Sequence, residues 1–128
     1  MQMQQINKVL YPELSYKICG LCFDAHNKLG RFKSEKSYAD LLEKLFIENN
    51  VIYNRELALD PSFVGEKERR NIPDFIVDDK IILDAKAKRI ITKEDYFQMK
   101  RYLDSSGKKL GLIVNFRQKY LSPKRVLN

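Results

Sequence analysis

Two aspartates and a lysine fall in a pattern that could do chemistry. Asp84 and Lys86 interrupt the otherwise apolar run Ile81-Ile82-Leu83-Asp84-Ala85-Lys86-Ala87-Lys88, and Pro73-Asp74 stands ten residues before Asp84. A strand sends alternate side chains to opposite faces, so Ile81, Leu83, Ala85 and Ala87 share an apolar face while Ile82, Asp84, Lys86 and Lys88 share the other. The Asp78-Asp79 turn lets the preceding segment pair back, bringing Asp74 toward Asp84. Two carboxylates at a sheet edge suit a hard divalent cation, Mg²⁺ or Mn²⁺, which takes few protein ligands and keeps waters for substrate and nucleophile. Such a cation activates a water and stabilises charge on a phosphate, and Lys86 would orient that water or neutralise the developing charge. The chemistry indicated is hydrolysis of a phosphodiester.

The elements that must position these residues follow from periodicity. Leu14, Ile18, Leu21, Cys22, Ala25 and Leu29 recur at threes and fours, predicting a first helix from Leu14 to Leu29 that Gly30 stops. Ser34 can cap a second helix running to about Asn49, with Tyr38, Leu41, Leu42, Leu45 and Phe46 inward and Glu35 heading that face. Val51 to Leu59 reads as a strand, Ile72 to Val77 as a second and Lys80 to Lys88 as a third, forming an antiparallel ribbon. Thr92-Lys93-Glu94-Asp95 opens a third helix through a capping box, with Tyr96, Met99, Tyr102 and Leu103 as its buried side and an end near Ser105-Ser106-Gly107. Leu110 to Phe116 is apolar enough for a strand covered on both faces, and Arg125 to Leu127 reads as a short edge strand. The expected architecture is α/β, in the order α-α-β-β-β-α-β, a mixed central sheet flanked by helices in one domain over residues 1–128.

Composition agrees with a packed domain. The chain has 128 residues, of which 44% are hydrophobic and 32% charged, and no run approaches the length of a membrane span. A soluble, cytoplasmic protein with no membrane partner is expected, and its two cysteines are expected to stay reduced. With 24 Lys and Arg against 17 Asp and Glu the net charge is +7, and the long-range field attracts polyanions, nucleic acid first.

Taken together, Pro73-Asp74 followed by Asp84-Ala85-Lys86 resembles the bipartite motif of the PD-(D/E)xK nuclease superfamily, whose fold is the restriction-endonuclease-like core. Glu35 stands where that superfamily has its N-terminal acid, and Gln98 with Tyr102 resembles its Q-x-x-x-Y element. From Leu14 to Val126 the chain also resembles small bacterial proteins of a GxxExxxR pattern, in Ala25 to Gly30 and Leu110 to Phe116. It departs from them where Phe32 replaces Gly and Ala39 replaces Arg, leaving Arg31 as the candidate substitute. The resemblance implies a Mg²⁺- or Mn²⁺-dependent nuclease acting on DNA or RNA. Glu35, Asp74, Asp84 and the Ala85 carbonyl would hold the metal, and Lys86 and Gln98 would assist catalysis. A homodimer acting as a Holliday-junction resolvase belongs to the same class. The divergence around Glu35 motivates a different reading, a nucleic-acid-binding module of the same fold without turnover.

Other features weigh less. Cys19-Gly20-Leu21-Cys22 with His26 lacks the four ligands of structural zinc and lies mid-helix rather than at a strand-to-helix turn. His26 is expected to cap the first helix near its C-terminus rather than touch a phosphate. Lys88, Arg89, Lys93, Lys100 and Arg101 are candidate backbone-gripping cations, and Tyr96, Phe97 and Tyr102 candidate base-stacking rings, although aromatics at helical spacing more often pack inward.

Overall fold

A computed structural model describes residues 10–128. Helix α1 (Pro12–Leu29) opens with Pro in its first turn and ends where Gly30 takes φ 75° and returns its N–H to the His26 carbonyl at 2.8 Å. Helix α2 (Glu35–Glu48) is capped by Ser34, whose Oγ accepts from the Ser37 N–H at 3.1 Å. Three antiparallel strands follow, β1 (Tyr53–Arg55), β2 (Phe75–Val77) and β3 (Ile81–Lys86). Helix α3 (Lys93–Ser106) begins with the expected capping box between Thr92 and Asp95 and leads to β4 (Leu110–Asn115), then β5 (Lys124–Leu127) at the edge. The strand order is β1-β2-β3-β4-β5, with β4 parallel to β3 and all other pairs antiparallel. The five-stranded mixed sheet with three flanking helices is consistent with the restriction-endonuclease-like fold.

The ribbon is shorter than its sequence suggests. The strand expected over Val51 to Leu59 pairs only at Tyr53–Arg55, because Glu56 adopts φ 54° and turns the backbone out of the ladder. Contact with the next segment resumes only through single bonds, Glu56 N–H to the Asp74 carbonyl at 3.0 Å and Leu59 N–H to the Asn71 carbonyl at 2.8 Å. The turn between β2 and β3 places both Asp78 (φ 52°) and Asp79 (φ 54°) in the left-handed region and closes with Lys80 N–H on the Val77 carbonyl at 3.0 Å.

The sheet divides the core in two. Ile81, Leu83 and Ala85 of β3, with Leu110, Leu112 and Val114 of β4, pack against α1 and α2. Ile82 of β3, Ile76, Ile113 and Val126 meet Met99, Tyr102 and Leu103 of α3 on the other face. The alternation read from β3 therefore holds, and it sends Asp84 and Lys86 to the α3 side. Gly111 lets α3 lie close, since a Cβ there would come within 2.3 Å of the Met99 sulfur. The inward face of α3 differs from expectation at its first turn: Asp95 is buried and Tyr96 is 44% exposed, because the capping box turns position 95 toward the sheet. On β1, Arg55 pairs with Asp40 at 2.8 Å and Glu43 at 2.9 Å, tying the edge strand to α2.

Candidate active site

The site lies where β2 enters and β3 leaves the sheet. Extending the register Phe75↔Leu83 by one pair sets Asp74 against Asp84. The two acids are held by each other's strands: the Asp74 N–H donates to Asp84 Oδ1 at 3.2 Å, and the Ala85 N–H donates to Asp74 Oδ2 at 2.7 Å. Asp84 is only 4% exposed, and its Oδ2 lies 3.0 Å from Lys86 Nζ. Lys86 Nζ also donates to Gln98 Oε1 at 2.8 Å, so α3 fixes the ammonium from above the sheet. Asp95 Oδ1 stands 4.0 Å away as a further acid.

This arrangement concentrates negative charge. Burial, then the Asp84 charge and more remotely Glu35, push the Asp74 carboxyl up to about 7, against opposing help from the Ala85 N–H and Lys86. Burial draws the Lys86 ammonium toward its neutral form. The charge and hydrogen bond of Asp84, with Asp95 and Glu35 beyond, outweigh that and hold its pKa above the usual lysine value. Lys86 is thus a fixed cation at neutral pH, fitted to stabilise charge rather than to abstract a proton.

Glu35 reaches the same strand one step further on, its Oε2 accepting from the Ala87 N–H at 3.3 Å, and its side chain is exposed. It shares with Asp74 a surface depression of about 250 Å³ whose wall includes Ala39 and Arg55. Among the described residues no three His, Cys, Asp or Glu side chains gather into a ready cation cage. Asp74 and Asp84 nonetheless fit a divalent ion of the kind that keeps most of its waters, since their two carboxyl groups are held side by side at one strand end and such an ion would take the place of the proton on Asp74.

Other candidates are placed differently. Tyr102 is 4% exposed and donates its hydroxyl to the Ile72 carbonyl at 3.3 Å, so it cannot stack a base; it holds the segment that carries Asp74. Burial, then the Asp84 and Asp74 charges, raise its pKa. His26 does not cap α1: its Nε2 donates to the Gln118 carbonyl at 2.8 Å, pinning the loop after β4. Lys88 spends its ammonium on Asp95 at 2.8 Å, while Lys100 reaches the Leu127 carbonyl at 2.8 Å, away from the acids. Arg89 is exposed just past β3, and Arg31 bonds the Arg117 carbonyl at 2.8 Å. Cys19 and Cys22 are free thiols, and burial foremost raises the pKa of each.

Two residues that periodicity did not single out complete the site. Asp95, read only as a helix cap, accepts from Lys88 and faces Lys86, and its pKa is lowered because Lys88 and Thr92 outweigh the effect of burial. Asn115, the sole polar residue of Leu110 to Phe116, accepts from the Lys88 N–H at 3.1 Å and donates to the Lys88 carbonyl at 2.8 Å. A polar side chain inside a buried apolar strand was the available signal.

Compared with known proteins, residues 12–126 match the model of the PD-(D/E)XK nuclease superfamily. Neither a curated protein nor a solved structure matches the chain.

Proposed function

We propose, from the chain's belonging to the PD-(D/E)XK nuclease superfamily, that it is a Mg²⁺- or Mn²⁺-dependent nuclease that hydrolyses phosphodiester bonds, with DNA as its first substrate. The observation that carries this reading is the joined set Asp74, Asp84, Lys86 and Gln98, in which each acid accepts a backbone N–H from the other's strand and the second acid orients a charged lysine. Asp74 and Asp84 would hold the ion, with Glu35 and the Ala85 carbonyl as the further oxygens within reach of the same strand end. When bound, a divalent ion supplies a water of lowered pKa and a Lewis acid for the phosphate oxygens. Lys86, held by Gln98, presents its ammonium to the negative charge that builds on phosphorus-bound oxygens during attack. The chain's net charge of +7 attracts a polyanionic substrate to the molecule at long range.

The test is a panel of single-stranded, duplex and branched DNA and of RNA, incubated with Mg²⁺ or Mn²⁺ beside Asp84→Ala. Cleavage that needs the metal and falls about 10²-fold or more in the variant supports the reading. No cleavage of any member, or equal cleavage by Asp84→Ala, ends it. The exposed position of Glu35 favours a second reading, a binding module without turnover. That module would hold nucleic acid in the presence of chelator, and more tightly after Asp84→Ala removes a charge facing phosphate.

A further inference from the structure

Beside the acids, two loops meet and build a cationic aromatic surface. Arg31 Nε donates to the Arg117 carbonyl at 2.8 Å, and Arg117 Nε returns a bond to the Arg31 carbonyl at 2.9 Å. Each guanidinium is thereby anchored through the nitrogen nearest its stem. Beside them Phe32 is 74% exposed, with the Arg31 and Arg117 guanidinium carbons 5.1 and 5.6 Å from its ring centroid. Arg117 Nη2 also reaches the Ala87 carbonyl at 3.4 Å, and the Ala87 N–H is the donor to Glu35, so this surface adjoins the end of β3. His26 pins the loop after β4 through Gln118, and three residues beyond Arg117 Tyr120 is 80% exposed with Lys119 Nζ 5.5 Å from its ring centroid.

Phe32 thus presents an exposed ring beside two arginines, each fixed by the other's backbone carbonyl. Water is a poor partner for its faces, and the flanking cations supply what an adjacent phosphate needs. Duplex bases are stacked on one another and offer no free face, whereas an unpaired base does. We infer that Phe32, flanked by Arg31 and Arg117, is a stacking platform for an unpaired nucleobase, with the two guanidiniums gripping the neighbouring phosphates. The substrate class is single-stranded nucleic acid or the single-stranded portion of a branched one, delivered across Ala87 to Asp74 and Asp84. This inference rests on the nuclease reading for its direction, but its observable is binding rather than turnover.

The test measures fluorescence anisotropy of labelled DNA of one sequence, single-stranded and duplex, in chelator so that no cleavage occurs. Phe32→Ala is expected to weaken single-strand binding about tenfold and to leave duplex binding nearly unchanged. In Phe32→Trp the indole is expected to be quenched on adding single strand. Arg31→Gln and Arg117→Gln are each expected to lower the slope of log affinity against log salt by about 0.7. Unchanged single-strand affinity in Phe32→Ala, equal losses on both forms, or an unquenched Phe32→Trp each overturns the inference. If the wild type cleaves nucleic acid yet Phe32→Ala binds as the wild type does, only this inference falls. If the wild type neither binds nor cleaves any form, the nuclease reading falls with it.

Discussion

Asp74 and Asp84 are tied through each other's strands: one offers its N–H to its partner's carboxylate, while its own carboxylate accepts from the N–H that follows that partner. Neither acid can shift without breaking a bond to the other's strand. The pair therefore behaves as one rigid anionic unit, and its properties set the first expectation.

Asp74, raised to about 7 by burial and then by Asp84, binds its proton more tightly in the fold than in the unfolded chain. The stabilisation from that proton is complete below the ordinary carboxylate value of 3.8 and is lost as the pH rises through about 7. The metal-free chain is expected to lose thermal stability between roughly pH 4 and 7, and Asp74→Asn to flatten the decline. Added Mg²⁺ is expected to raise the melting temperature near pH 8 and to do little near pH 5, because proton and cation compete for one carboxylate. Scanning fluorimetry across pH, with and without Mg²⁺, checks both.

Lys86 is held between Asp84 and Gln98. Lys86→Gln is expected to slow cleavage by roughly 10²–10³. It should also cost about 1–3 kcal/mol of stability by leaving Asp84 without its cation. Gln98→Ala, acting only through the position of Lys86, is expected to lower kcat by about tenfold or more with KM little changed. Steady-state kinetics and denaturant unfolding of the three proteins separate the two roles.

Tyr102 is buried and donates its hydroxyl to the Ile72 carbonyl, in the segment that leads to Asp74. Tyr102→Phe is expected to cost about 0.5–1.5 kcal/mol and to slow cleavage by loosening the Asp74 segment. Its affinity for nucleic acid in chelator should match the wild type. A clear loss of affinity in that assay would mean that the ring does reach the substrate.

Gly111→Ala is expected to destabilise the fold by about 1–3 kcal/mol, since the new methyl collides with Met99. Met99→Ala should relieve part of that cost in the double variant, giving a non-additive cycle. Chemical denaturation measures it.

The parts of the site governed by a short repeat were legible in the sequence. Period two placed Asp84 and Lys86 together under α3, and the turn at Asp78-Asp79 brought Asp74 across from them. The truncation of β1 was not, because it follows from a positive φ at Glu56, a residue type with no special liking for that region. Asp95 caps α3 as its spacing indicates, but its further contacts with Lys88 and Lys86 depend on where β3 ends and had no local signal. Arg117 had no local signal at all: its place follows from contact with Arg31, 86 residues away. The burial of Tyr102 was foreshadowed by its helical spacing, and its hydroxyl partner was not, since Ile72 belongs to a loop.

The parallel seam between β3 and β4 also orders events in time. The ribbon bearing Asp74 and Asp84 closes between near neighbours in the chain, whereas Ile81↔Leu110 through Lys86↔Asn115 cannot form until α3 and β4 have left the ribosome. Lys86 meets Asp84 within β3 itself, whereas its second partner, Gln98, arrives only with α3. The cluster proposed as the site is therefore complete only once the α3 to β4 crossover has packed onto the ribbon.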